Sequence, residues 1–100
     1  MNAVAPAKDA VDLCAALLTP RTADEMAALL ADLCTPAEVR TLAERWHVAR
    51  LLDGTEMSYR DIHDATGVST TTIVRVARFL RTEANDGYRS AIDRLGATDV

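Results

Sequence analysis

Apolar residues recur along this chain at helical spacing, in six stretches divided by proline, glycine and capping residues. Over residues 8–18, Ala10, Leu13, Cys14 and Leu17 share one face, and Thr19-Pro20 closes the stretch, since the residue before proline is driven from the helical region. Thr22-Ala23-Asp24-Glu25 has the form of a capping box and opens a second helix striped by Met26, Leu29, Leu30 and Leu33. Thr35-Pro36-Ala37-Glu38 repeats that form, with proline at the first helical position, where its missing N–H costs nothing. The third helix runs to about Asp53 and stops at Gly54. Val39, Leu42, Ala43, Trp46 and Ala49 form one stripe on it, while Val48, Leu51 and Leu52 lie partly on another. A helix apolar on more than one side is expected to be buried on more than one side, which favours a central place within a dimer.

The next two stretches are short and close together. Ser58 to Ala65 reads as a helix with Asp61 three residues after Ser58, a weaker capping box, and with Ile62 and Ala65 inward. Thr66-Gly67-Val68 is a turn in which glycine takes a positive φ and Val68 points back between the helices. Ser69 is the expected N-cap of the following helix. There Ile73, Val76, Ala77 and Leu80 fall at i, i+3, i+4 and i+7, one buried face. Thr70, Thr71, Thr72, Val74, Arg75 and Arg78 are left to other faces, and Arg60 and His63 point outward from the first helix of the pair. Helix, glycine turn and helix at this spacing outline a helix-turn-helix, whose second helix enters the DNA major groove. The competing reading is a plain helical hairpin whose threonines are merely solvated. A last helix over residues 86–95 is capped by Asn85, carries Tyr88, Ala91, Ile92 and Leu95 inward, and ends at Gly96.

Composition narrows the function. The chain has 100 residues, 49% of them apolar but only 4% aromatic, which bounds it to one small all-α domain spanning 1–100, with 1–7 and 97–100 expected to be disordered. No apolar run has membrane-spanning length and no secretory segment is seen, so a cytoplasmic protein with no membrane partner is expected. The formal net charge is −4. Its distribution is uneven: residues 58–82 carry Arg60, Arg75, Arg78 and Arg81 against Asp61 and Asp64, a net +2, whereas residues 1–34 carry a net −3. The positive charge therefore sits in the proposed reading unit, and weak, salt-sensitive non-specific affinity is expected. Cys14 and Cys34 are read as reduced core residues, and with only His47 and His63 besides there is no metal-ligand spacing. No nucleophile–base pair or phosphate-cradling glycine loop is present, so neither an enzyme nor a cofactor is expected. His47 is read as a partly buried helix residue, and Tyr59 and Tyr88 as packing residues.

From about Asp32 to Arg94 the chain resembles the Trp repressor superfamily, in particular its YerC/YecD-like branch. The resemblance rests on Asp32-Leu33-Cys34-Thr35-Pro36, on Leu42 through Leu52, on the glycine-turn segment through Arg75, and on Asn85-Asp86-Gly87-Tyr88. It implies a six-helix subunit whose N-terminal helices and last helix interlock with a second copy, leaving the fourth and fifth helices as reading heads on double-stranded DNA. It implies base-edge approach by Ser69, Thr70, Thr71 and Thr72 at the start of the fifth helix, with Val74 one turn on. Phosphate-facing positions fall on Arg60 and His63, with Arg75 and Arg78 beside them. The family's tryptophan lies between two arginines, matched here by Arg45 and Arg75. The position after the second arginine is glycine in Trp repressor and Val76 here, a departure that speaks against tryptophan as co-repressor while leaving a different small effector open. The expected function is a homodimeric, sequence-specific transcriptional regulator. The alternative is the same fold used as a protein-interaction module without specific DNA binding, which the negative total charge favours.

Overall fold

A computed structural model describes residues 7–96, so the expectation of disorder at 1–6 and 97–100 lies outside the described residues. Six α-helices account for the ordered elements there, and no strand is present among the described residues: α1 (Lys8–Leu17), α2 (Ala23–Leu33), α3 (Pro36–Gly54), α4 (Tyr59–Thr66), α5 (Thr70–Arg81) and α6 (Gly87–Leu95). None is long and apolar enough to cross a membrane. The chain divides into two compact units, residues 1–39 and 40–100, and α3 passes from one into the other after its first turn.

In the first unit the helix starts follow local hydrogen bonding. The Thr22 hydroxyl accepts from Glu25 N at 3.1 Å, while the Glu25 carboxylate reaches past the cap to accept from Arg21 N at 2.8 Å. The box expected at Thr22 is thus displaced by one residue in its return arm. At α3 the box is complete: Glu38 N donates to the Thr35 hydroxyl at 3.1 Å and Thr35 N to the Glu38 carboxylate at 2.8 Å. The apolar stripes are present but unburied. No residue of α1 or α2 is buried, Leu13 and Leu33 are exposed, and Cys14 is exposed with Cys34 half-buried. The cysteines are therefore not core residues in this chain. Leu42 and Ala43 of α3 are likewise exposed. Periodicity fixes which residues share a face, but burial also needs a surface to cover that face.

The second unit holds the core. Val48, Ala49 and Leu52 of α3, Ile62 of α4, Val68 of the turn, and Ile73, Val76 and Ala77 of α5 pack together, with Leu51, Met57, Leu80, Tyr88 and Ile92 against them. Ala65 and Leu95, expected inward, are exposed, because Ile62 and Ile92 already take the core-facing registers of their helices. His47 is exposed on α3 and not partly buried as expected. Tyr88 stacks on Trp46 with centroids 6.4 Å apart, and the Arg50 guanidinium lies 5.7 Å from the Trp46 ring. The cap of α6 is Asp86 rather than Asn85; it sits in the left-handed region at φ 61 and makes no side-chain cap bond.

Two arginines fasten the end of α3. Arg81 donates to Leu52 O at 3.1 Å, satisfying one of the last-turn carbonyls that a helix leaves unpaired. Arg89 of α6 forms a bidentate pair with Asp53 at 2.8 and 3.2 Å and also bonds Asp93. The Arg89 hydrogen bonds hold the Asp53 carboxyl below its ordinary value, with the fields of Arg89 and Arg81 adding and partial desolvation opposing. A carboxyl lowered in the folded state stabilises fully above its unfolded pKa, and that contribution is lost as pH falls through the folded value. Asp53→Asn is therefore expected to lower the melting temperature by a constant amount between about pH 5 and 8, with the gap from the parent closing below about pH 4, where both chains lack the charge. Thermal melts across pH check this; a gap that persists at acid pH contradicts it.

Candidate nucleic-acid interface

The α4–α5 corner is held by short-range hydrogen bonds. At its entry the Ser58 hydroxyl accepts from Asp61 N and the Asp61 carboxylate from Ser58 N, both at 3.0 Å, a complete capping box where the sequence had pointed to a weaker one. At its corner Gly67 lies in the left-handed region with φ 77, and its N–H donates to His63 O at 2.8 Å. The Thr66 hydroxyl donates to Ile62 O at 2.7 Å and accepts from Val68 N at 3.1 Å. The His63 ring closes the set, its Nδ1 lying 2.8 Å from Val68 O. Carbonyl oxygen only accepts, so Nδ1 carries the hydrogen. Both polar groups of Val68 are thus paired while its side chain, 5% exposed, plugs the core. A β-carbon built on Gly67 meets nothing within 4 Å, so the cost of a side chain there is conformational rather than steric. Gly67→Ala is expected to fold and to lose about 1–2 kcal/mol, the penalty of a left-handed non-glycine residue; denaturant unfolding measures it, and a neutral result would mean the corner relaxes.

The next helix starts on Ser69, whose hydroxyl accepts from Thr72 N at 3.2 Å and meets the Thr72 hydroxyl at 3.1 Å. These two candidate contact residues are therefore occupied in capping, and Thr72 is half-buried. Thr70, Thr71 and Val74, the last 54% exposed, are the side chains presented outward from the first turn and a half of α5. Across the corner, Arg60, His63 and Asp64 of α4 join Thr70 in lining an open concavity of about 480 Å³. Arg60 and Asp64 are 4.0 Å apart and 89% and 65% exposed, a weak surface pair that a phosphate can displace.

Further along α5, Phe79 acts as a platform that the sequence reading overlooked. The Arg75 guanidinium lies 4.5 Å from its ring and that of Arg78 4.8 Å. The i, i+4 spacing of Arg75 and Phe79 was the available signal. Arg78 also pairs with Glu83 at 3.6 Å. Of the two arginines matched to the tryptophan pocket, Arg75 is exposed and lies against Phe79, while Arg45 is half-buried with its Nε enclosed and unbonded. No ion pair joins either one to an acid among the described residues. Val76, 1% exposed, belongs to the core cluster.

Comparison with known proteins agrees with this architecture. Residues 9–96 match the family described as Trp repressor protein. The uncharacterised YerC protein of Bacillus subtilis (strain 168) is 40% identical over 85 residues, 84% of this chain and 79% of that protein. The crystal structure of a TrpR-like protein from Eubacterium eligens superposes with TM-score 0.83 at 37% identity, over 91% of this chain and 92% of that one. A candidate Trp repressor from Staphylococcus aureus superposes with TM-score 0.82 at 33% identity, over 90% and 88%. With a family match spanning most of its length and relatives above 30% identity along nearly all of it, the chain belongs to the Trp repressor family.

Proposed function

We propose that the chain is a sequence-specific regulator of transcription, fitted to repression, that binds double-stranded DNA as a homodimer through α4 and α5. The observation that carries this is the outward presentation of Thr70, Thr71 and Val74 at the start of a helix whose entry turn is held by hydrogen bonds to Val68 N, Val68 O and Thr72 N. A helix start presented in this way can enter a major groove. Thr71 and Thr70 offer hydroxyls to base edges, and Val74 an apolar contact for a thymine methyl. Arg60 and His63 flank that start where phosphates run, and Arg75, braced by Phe79, lies farther along the same helix. Family membership supports the regulatory class and counts against an enzyme. The homodimer is supported by the apolar side chains that one copy leaves exposed: Val11, Leu13 and Leu18 on or next to α1, Leu33 on α2 and Leu42 on α3. A pair of copies also doubles a small cationic footprint. The net charge of −4 favours the second reading, a protein-interaction module.

Selection from a random DNA pool, followed by binding across a salt series, separates the two. A regulator gives a saturable site preference and a light-scattering mass of twice the chain; a module gives no preference. Thr71→Ala is expected to relax base preference by about 1–3 kcal/mol at one position per half-site. Arg60→Ala is expected to weaken all sequences alike and to make the salt slope shallower by about one phosphate equivalent per copy. If both variants bind as the parent does, the reading face lies elsewhere.

Tryptophan is not the co-repressor in this reading, though another small effector remains compatible with it. A bound indole would need the volume that Val76 fills, and Val76 is fixed among Ile73, Ala77 and Val48 on a helix that restricts its rotamers. Forcing a ligand into a filled site costs about 1–3 kcal/mol. Calorimetric titration with L-tryptophan, alone and with DNA, is expected to show no binding at micromolar concentration; binding that tightens DNA association would restore the co-repressor mechanism.

A further inference from the structure

His63 is bound at one ring nitrogen and unspent at the other. Its Nδ1–H is held by Val68 O at 2.8 Å, which fixes the ring plane against the corner and fixes the tautomer. In the neutral ring Nε2 is then a lone pair, an acceptor only. The side chain lines the concavity of about 480 Å³ shared with Arg60, Asp64 and Thr70, beside the exposed start of α5. A neutral acceptor cannot bond a phosphate oxygen, which also only accepts. Once protonated, the same nitrogen becomes a cationic donor, with no change in the Nδ1 bond or the fold of the corner.

We infer that His63 is a proton-gated DNA contact, so that acidification strengthens binding. The inference rests on the proposed DNA-binding function and adds a regulatory input to it.

The neighbouring charges are compatible with this role. On α4 the concavity holds Arg60, which opposes protonation, and Asp64, which favours it and already faces Arg60 at 4.0 Å. The carboxylate of Asp61 is held in the Ser58 capping box. From α5 the lining residue is Thr70, which carries no charge, and the first charged residue of that helix is Arg75. A DNA phosphate arriving in the concavity would supply the negative charge that draws the proton onto Nε2. Binding and protonation are then linked: DNA binding takes up protons, one for each His63 that is neutral beforehand.

The test is DNA affinity against pH at constant ionic strength, using full-length protein, a mixed-sequence duplex, and duplexes selected from a random pool at pH 6. The parent is expected to lose about tenfold in affinity per half-site from about pH 5.5 to 8, the lower part of the range for a charge-assisted hydrogen bond. Its salt slope is expected to become shallower by about one phosphate equivalent per copy over the same interval. His63→Asn retains an amide donor placed like Nδ1–H but has no titrating nitrogen; it is expected to bind at every pH as the parent does near pH 8. His63→Lys carries a fixed charge, and its affinity and salt slope should be flat with pH. His47→Asn, on α3, should keep the parent's profile. A parent whose DNA affinity and salt slope do not change with pH overturns the proton-gated contact and leaves the DNA-binding function standing. A His63→Asn variant that keeps the parent's pH dependence also overturns it. Absence of saturable binding to any duplex at any pH overturns the DNA-binding function and this inference together.

Discussion

The corner between α4 and α5 depends on one backbone position in the left-handed region. With φ 77 at Gly67, the chain reverses tightly enough for Val68 to drop into the core and for Ser69 to cap the next helix. Every other feature of the reading face depends on that reversal. Such a corner would ordinarily leave amide and carbonyl groups unpaired at a half-buried place, at a cost of about 1–3 kcal/mol each. Here the local side chains absorb them: Thr66 takes Val68 N, His63 takes Val68 O, and Gly67 N returns to His63 O. The corner is thus held by short-range bonds and plugged by one valine, and the side chains of the following turn are free to serve a ligand.

Rigidity reaches this corner from α3. Val48, Ala49 and Leu52 form the surface on which Ile62, Ile73 and Val76 close, so the last turns of α3 set where α4 and α5 can lie. Those turns end in a loop, where a helix would otherwise fray. Arg81 on Leu52 O and Arg89 on Asp53 prevent this from two separate elements. The pairs are partly exposed and individually weak. Their value is geometric: they fix the end of α3 relative to α5 and α6 within this unit.

Most of this was legible in the sequence because its causes are local. Gly67, Ser69 and the Ile73–Val76–Ala77 face each follow from one backbone preference or one period, and all three hold in the structure. The Thr35 and Ser58 boxes were legible for the same reason. What escaped the sequence depended on partners distant in the chain or on competition within a turn. Arg89 and Asp53 are 36 residues apart, and nothing in either neighbourhood announces the other. Thr72 stood among the candidate base contacts, and its hydroxyl instead meets the Ser69 hydroxyl of the cap. The stripes of α1 and α2 were read correctly as apolar faces, yet no residue on them is buried, and the inference from stripe to core failed for Cys14. For the site the division is similar. Position on the corner followed from the pattern, whereas the state of each side chain, capped, stacked or available, required coordinates.

That distinction changes the electrostatic account of the reading unit. Counting charges over residues 58–82 gives four arginines, but they are not equivalent. Arg81 is committed to a helix carbonyl, and Arg78 is shared between Phe79 and Glu83. Arg75 lies against Phe79 and keeps its charge without an acid partner, and Arg60 is loosely held by Asp64. Two cations per copy are therefore readily offered to phosphate, fewer than the sequence count. With so small a fixed footprint, the proposed DNA binding would carry a low non-specific affinity, since each phosphate neutralised contributes separately to the salt-dependent term. A low baseline has two consequences. Under the proposed function, site preference would come from direct contacts of Thr70, Thr71 and Val74, doubled in a homodimer, rather than from general attraction to the duplex. A single additional charge per copy is also a large fraction of the whole, which gives the proposed His63 contact a leverage that it would lack on a strongly basic protein.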